Sequence, residues 1–280
     1  MNIKNKEILL IDNLKLHYSD SAGLFKTSDI IKAVDGVSFK LISGETLGIV
    51  GESGSGKSSI CRLILNLIIK TSGKISWFGE DLDNYSKKEM KDFRKKVQII
   101  FQDPYGSLDP RMTIGSIIRE PLDIFNKKLS RKEKEERIFQ IMKDVGLTND
   151  LFNRYPHELS GGQCQRVGIA RALINKPSVL ICDEPVSALD LSIQAQILDL
   201  LNSLKNKYKL SLVFVSHDLS VIRSICDRVI VLKHGLIVEN RETIDLFNNP
   251  KNSYTKKLIS SVPSPTVSYT HLTLPTIYSV

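Results

Sequence analysis

Nine residues from Gly51 to Ser59 read Gly-Glu-Ser-Gly-Ser-Gly-Lys-Ser-Ser. Gly51, Gly56, Lys57 and Ser58 fit the spacing G-x-x-x-x-G-K-[ST]. That spacing serves the binding of a chain of phosphates, which packs several negative charges along a short line. A loop holds them if its backbone N–H groups all point inward, and glycines at positions 51, 54 and 56 permit this. Lys57 supplies a mobile positive charge for the β- and γ-phosphates of ATP. The Ser58 hydroxyl can ligate Mg²⁺, Ser59 is placed to touch the α-phosphate, and Ser53 belongs to the same nucleotide-binding loop. The flanks agree: Thr46–Val50 reads as a buried strand, and Ser58–Ile69 as a helix whose N-terminal dipole favours anions.

Val179-Leu180-Ile181-Cys182-Asp183-Glu184-Pro185 is the second constellation. Four apolar residues suit a strand buried on both faces. Carboxylates at its C-terminal end fall where parallel α/β sheets place ligands. Asp183 is expected to hold the Mg²⁺ shell through water, and Glu184 to polarise the attacking water in line with the γ-phosphate. An apolar run ending in Asp-Glu is otherwise an ordinary strand-to-turn exit, and the phosphate loop is what gives it meaning.

Leu159-Ser160-Gly161-Gly162-Gln163 narrows the reading. Ser160 is a good N-cap for a helix continuing through Arg166–Ile174. Capping accounts for Ser160 but leaves Gly161, Gly162 and Gln163, poor helix starters, unexplained. They read as a second phosphate-facing helix N-terminus. The loop at 51–59 already fills one nucleotide's phosphates, so this surface is expected to bind the nucleotide of another subunit. With these three segments in this order the chain resembles the ATP-binding subunits of ABC transporters.

The resemblance implies an α/β fold: a P-loop NTPase (RecA-like) core with an N-terminal antiparallel β subdomain and an inserted helical subdomain at about 103–165. It also implies further site residues. Gln102, in Ile99-Ile100-Phe101-Gln102-Asp103-Pro104, matches the Q-loop glutamine that contacts Mg²⁺ and the transporter's coupling surface. Asp190, in Ser187-Ala188-Leu189-Asp190, matches the D-loop that crosses the dimer. His217, in Val213-Phe214-Val215-Ser216-His217-Asp218, matches the switch histidine of the γ-phosphate. Tyr18 is the candidate adenine-stacking aromatic, with Phe25 as its rival. Cys164 departs from the family's frequent glutamine, and little effect is expected there.

Finer phrases are similar to the oligopeptide/dipeptide importer ATPases. They are Leu24-Phe25 ahead of Lys32–Phe39, Tyr105–Thr113, and Ser253–Leu258 with Val262-Pro263. The run Leu108-Asp109-Pro110-Arg111-Met112-Thr113 is similar to the F-type subunit of these systems. The implied partners are a sister ABC ATPase in a heterodimer, two transmembrane permease subunits and, indirectly, a substrate-binding protein. The implied place is the cytoplasmic face of the bacterial cell membrane. Rival readings are a soluble ABC ATPase of translation or repair, or the ATPase of a nickel or other small-solute importer. Translation types usually carry two cassettes and repair types long insertions, and neither pattern occurs here. Intact Glu184 and His217 argue against a catalytically dead subunit.

The elements that must position these residues follow from the patterning. A mixed β segment from Ile8 to about Val50 is consistent with an antiparallel sheet. Lys74–Phe78 with Gly79 reads as a strand and turn. From Asp103 to about Tyr155 the period is helical, at Ile114–Ile118, Ile124-Phe125 and Arg131–Val145, with Gly146 as a helix stop. Strands Val229–Leu232 and Leu236–Val238 flank His234-Gly235 as a hairpin.

Bulk properties agree. The chain has 280 residues, 41% of them hydrophobic, enough for one large domain with a subdomain. No apolar run reaches the roughly 18–20 residues of a membrane span, and the N-terminus lacks a signal-peptide pattern. The four cysteines are dispersed and read as free thiols of a reducing compartment. The net charge of +8 raises nucleic-acid binding, but basic residues are spread out. Their densest run, Lys127–Arg137, alternates with Glu133, Glu135 and Glu136 as a solvated helix, so no nucleic acid is expected. The cassette is assigned to 1–266, with 251–266 as a truncated part of the family's C-terminal extension. Residues 267–280 read like one frame of a sequencing-library adapter and are expected to be non-native.

Overall fold

A computed structural model describes residues 6–19 and 30–261. Leu24, Phe25, Val262-Pro263 and the proposed adapter tail lie outside the described residues.

The chain opens with β1 (Glu7–Ser19), β2 (Ile30–Ile42) and β3 (Thr46–Val50), then α1 (Lys57–Ile64). After β4 (Ser72–Trp77) and β5 (Glu80–Asp81) come α2 (Lys87–Lys96) and β6 (Val97–Ile100). Helices α3 (Ile114–Phe125), α4 (Arg131–Asp144) and α5 (Gly161–Leu173) lead to β7 (Val179–Asp183). The remainder alternates: α6 (Leu191–Tyr208), β8 (Ser211–Ser216), α7 (Leu219–Ile225), β9 (Arg228–Lys233), β10 (Leu236–Glu242), α8 (Thr243–Asn248) and α9 (Ser253–Ser260).

Two sheets result. Four antiparallel strands run in the order β2-β1-β4-β5, and six run β10-β9-β3-β8-β7-β6, parallel except for β10. β3 was expected to continue the antiparallel segment and does not. It sits between β8 and β9, and all five of its residues are buried. Full burial suits a strand covered on both faces, which only the six-stranded sheet offers.

Alternation along the central strands divides the core. Leu180, Cys182, Leu212, Phe214, Val229 and Val231 face the cluster under α3–α6. Val179, Ile181, Val213, Val215, Ile230 and Leu232 face the cluster shared with α1 and the antiparallel sheet. Successive strand residues point to opposite faces, so one sheet serves both cores. Phe214 is fully buried at the centre. Phe214→Ala is expected to cost about 3–5 kcal/mol, read as a lower urea midpoint at unchanged m-value. A loss below about 1 kcal/mol would contradict this packing.

Several boundaries differ from the sequence expectation. α1 stops at Ile64 rather than Ile69, because Asn66 takes a left-handed conformation. Its N–H reaches Leu63 O at 2.9 Å, and the Leu67 N–H reaches Arg62 O at 2.8 Å, which closes a Schellman motif. α2 was not anticipated, although Ser86 and Glu89 form a full capping box at its start. The helical stretch after residue 103 resolves into α3, which runs through Pro121, and α4, which ends two residues before Gly146. The charged run is a solvated helix from Arg131 onward, with Arg131 paired to Glu135 at 3.0 Å. His234-Gly235 turns the β9–β10 hairpin as expected.

Candidate active site

Four parallel strands deliver the chemistry to one edge. β3 ends at Val50 and opens the loop at Gly51. β7 ends at Asp183, β8 ends one residue before His217, and β6 ends two residues before Gln102. The carboxyl end of a parallel sheet is where crossover loops leave room for a ligand. A cavity of ≈ 490 Å³ opens there, lined by Ser53, Gly54, Gly56, Lys57, Ser58 and Ser59 together with Gln102, Glu184 and His217. Ala33 of β2 adds to the lining.

Gly56 sets the loop against β2. Its φ is 105°, and a Cβ there would lie 2.3 Å from the Ala33 carbonyl oxygen, so only glycine fits. It precedes α1 and gives no side-chain cap, which leaves the first-turn N–H groups open to an anion.

Lys57 is buried, 6% exposed. Its ammonium donates to Gly51 O at 2.8 Å and Glu52 O at 3.0 Å, and lies 4.0 Å from Glu184 Oε1. Burial pulls its pKa below the ordinary lysine value, and the charges of Glu184 and Asp183 oppose that pull. Asp183 Oδ1 accepts a hydrogen bond from Ser58 Oγ at 3.1 Å. Burial pushes the Asp183 carboxyl above its usual range. The Ser58 bond works against this and the neighbouring Glu184 charge adds to it.

Glu184 has φ 49°, a left-handed backbone in a non-glycine residue. Such a conformation costs about 1–3 kcal/mol and persists only where the surroundings enforce it. Here the Glu184 N–H donates to Val215 O at 3.0 Å. Glu184 Oε2 accepts from Gln102 Nε2 at 3.0 Å and lies 3.1 Å from His217 Nδ1. One carboxylate thus gathers the lysine, the glutamine and the histidine. A group that binds Lys57 and His217 more strongly would release it to act on water.

The other expected residues lie elsewhere in the chain. Ser160, Gly161, Gly162 and Gln163 do not line the cavity. They form the exposed or half-buried first turn of α5. Gln163 needs correction as a poor helix starter. Its Oε1 accepts from the Ser160 N–H at 2.9 Å and its own N–H donates to Ser160 Oγ at 3.3 Å, a complete capping box. Gly162 has a packing reason, since a Cβ there would lie 2.7 Å from Ile193 Cγ2. Gly161 has open room by comparison, its nearest neighbour at 3.5 Å. Asp190 precedes α6 and makes no side-chain cap bond. Tyr18 is exposed on β1 opposite Ile31 and does not line the cavity. Phe25 lies outside the described residues.

All four cysteines are buried and free. Cys164 faces the core, where burial pushes its thiol up to about 11. Its departure from glutamine therefore leaves the exposed turn untouched. Sequence reasoning missed Tyr254, whose hydroxyl accepts a hydrogen bond from the Glu52 N–H at 3.1 Å. Tyr254 lies in a quoted phrase, but nothing in that phrase signals contact with a loop some 200 residues earlier.

Comparison with known proteins bears on this arrangement. A family model described as ABC transporter matches residues 34–187. The oligopeptide transport ATP-binding protein OppF of Salmonella typhimurium is 50% identical, the match covering 94% of this chain and 80% of that protein. The dipeptide transport ATP-binding protein DppF of Escherichia coli is 46% identical over 90% of this chain and 75% of its own. Among solved structures, the dimeric ATP-binding cassette MJ0796 in a post-hydrolysis state with ADP and Pi is similar. Its TM-score is 0.74 at 30% identity, covering 84% of this chain and 99% of that one.

Proposed function

The chain belongs to the ABC transporter family of ATP-hydrolysing subunits, and from that premise we propose that it powers peptide import across the cytoplasmic membrane. The observation that carries the catalytic reading is Glu184, held at the end of β7 among Lys57, Gln102 and His217 in the phosphate-loop cavity. The relatives' names support the peptide class.

ATP lays its phosphates along the loop 51–59 and on the N-terminus of α1. Lys57 shifts from the Gly51 and Glu52 carbonyls to the β- and γ-phosphates, exchanging neutral acceptors for charged ones. His217 turns to the γ-phosphate. Glu184, freed of both, orients the attacking water in line with the leaving group. The set Ser58 hydroxyl, Asp183 carboxylate and Gln102 amide offers oxygen donors that suit Mg²⁺. Two adjacent carboxylates near a single buried ammonium leave negative charge for a cation to offset. When bound, Mg²⁺ would neutralise phosphate charge.

Ser160, Gly161, Gly162 and Gln163, with Asp190, belong to a second composite surface. They cannot serve the cavity of their own chain and instead close on the nucleotide of a partner subunit. Among the described residues no helix is long and apolar enough to cross a membrane. The relatives' names as transport ATP-binding proteins support contact with the bilayer through permease subunits, with this chain on their cytoplasmic face. The F-type phrase Leu108–Thr113 favours a different sister ATPase as the partner.

Co-expression with the neighbouring transport genes tests this. The expected product contains this chain and one distinct ATPase in equal amounts, and its ATP turnover rises when peptide-loaded binding protein is added. A transporter with two copies of this chain overturns the heterodimer. Turnover indifferent to peptide overturns the substrate class.

A further inference from the structure

The peptide group between Gly51 and Glu52 is gripped from both ends. Its carbonyl oxygen accepts from Lys57 Nζ at 2.8 Å, and its N–H donates to the Tyr254 hydroxyl at 3.1 Å. Polarising the two ends of one amide strengthens both bonds. Tyr254 comes from α9, nearly the whole cassette away in sequence. We propose that Tyr254 is a positioning residue for the phosphate loop, holding the Gly51–Glu52 peptide plane in the orientation that receives ATP.

Tyr254 is itself held from three directions. Its ring is buried within the core cluster under α3–α6. The Lys233 ammonium of β9 lies 4.9 Å from the ring centroid, a cation–π distance. The start of α9 is pinned to β10, where the buried Glu239 carboxylate accepts from the Lys251 N–H at 2.8 Å and the Asn252 N–H at 3.1 Å. Asn252 Oδ1 then caps the helix by accepting from the Tyr254 N–H at 2.8 Å. A rigid path thus runs from the β9–β10 hairpin through α9 to the first peptide of the loop.

The loop has reason to need a brace at that point. Gly51 approaches its surroundings so closely that an added Cβ would meet Leu232 O at 2.3 Å. Glu52 itself is exposed. Without the hydroxyl, the Glu52 N–H turns to water and the peptide plane is free to rotate, carrying the carbonyl that parks Lys57. Apparent affinity falls in proportion to the fraction of loops in the receptive conformation. Once ATP is bound, phosphate contacts hold the loop and the chemistry proceeds as before.

This inference rests on reading Gly51–Ser59 as the ATP phosphate loop, and the test separates the two. Full-length wild type and Tyr254→Phe are titrated with Mg-ATP by calorimetry, and their steady-state ATPase activity is measured. The variant is expected to raise Kd and KM about three- to tenfold, the effect of one lost hydrogen bond, with kcat within about twofold. Amide exchange in the peptide containing Gly51–Ser55 is expected to speed up while the other core strands keep their protection. Tyr254→Ala serves as the packing control and is expected to lower Tm well below that of Tyr254→Phe. Equal Kd and equal exchange in wild type and Tyr254→Phe overturn the inference. So does a variant whose only change is a lower Tm. Failure of the wild type to bind ATP at all would instead overturn the reading of the loop.

Discussion

Glu184→Gln lowers kcat for ATP hydrolysis about 10²–10⁴-fold, the range lost when a positioned general base is removed. ATP binding survives. The amide keeps the length and shape of the side chain, and Lys57 still finds the phosphates. What disappears is the carboxylate that accepts from Gln102 and approaches His217 and Lys57 in the free protein. On the proposed mechanism, the oxygen atoms that contact these groups are the ones that would orient water, and an amide cannot take over that role. The neighbouring Asp183 carboxylate is tied to Ser58. The variant should accumulate as ATP-bound dimers with a competent partner, visible as a larger species by size-exclusion chromatography with ATP. Turnover within tenfold of wild type would remove Glu184 from the catalytic role.

Lys57→Ala acts on the other half of the cycle, and its effect appears in binding. A buried ammonium makes charge-assisted bonds to phosphate, each worth about 1.5–3 kcal/mol. Two such bonds place the expected loss of affinity at about 10² -fold or more. Calorimetric titration with Mg-ATP reads it directly. A second effect is peculiar to this site. In the free protein Lys57 satisfies the carbonyls of Gly51 and Glu52 and lies beside Glu184. Removing it leaves those groups without their buried donor, so the nucleotide-free variant also unfolds at a lower temperature than wild type. Unchanged affinity would remove the phosphate-loop reading altogether.

The free site has its own electrostatic logic. Asp183 and Glu184 sit side by side near one buried ammonium, and burial has raised the pKa of the one and lowered that of Lys57. Both directions mean that burial in the cavity disfavours the charges these side chains carry. The phosphates of ATP would give Lys57 a charged partner in place of neutral carbonyls. The left-handed backbone at Glu184 points the same way, because the hydrogen bond to Val215 maintains a conformation the residue would not adopt alone.

The residue string by itself determined the family, an ABC ATPase of the peptide-transport type. Gly51–Ser59, Asp183-Glu184 and Ser160–Gln163 are contiguous or nearly so, and local spacing fixes which backbone and side-chain groups face together. The buried strands Thr46–Val50 and Val179–Cys182 were legible for the same reason, as were the hairpin at His234-Gly235 and the helices of the middle segment. Reading failed where a local signal was competing or weak. Asn66 ended α1 early through a left-handed turn hidden in an apolar run. Gln163 proved to be half of a capping box rather than a poor helix starter. Only the tertiary structure decided that β3 leaves the antiparallel sheet for the parallel one, that Gln102 and His217 converge on a single carboxylate, and that Tyr254 reaches the phosphate loop. Each joins groups far apart in sequence, the last by about two hundred residues. Such contacts form because burying the shared core brings the elements together, and no spacing along the chain encodes them.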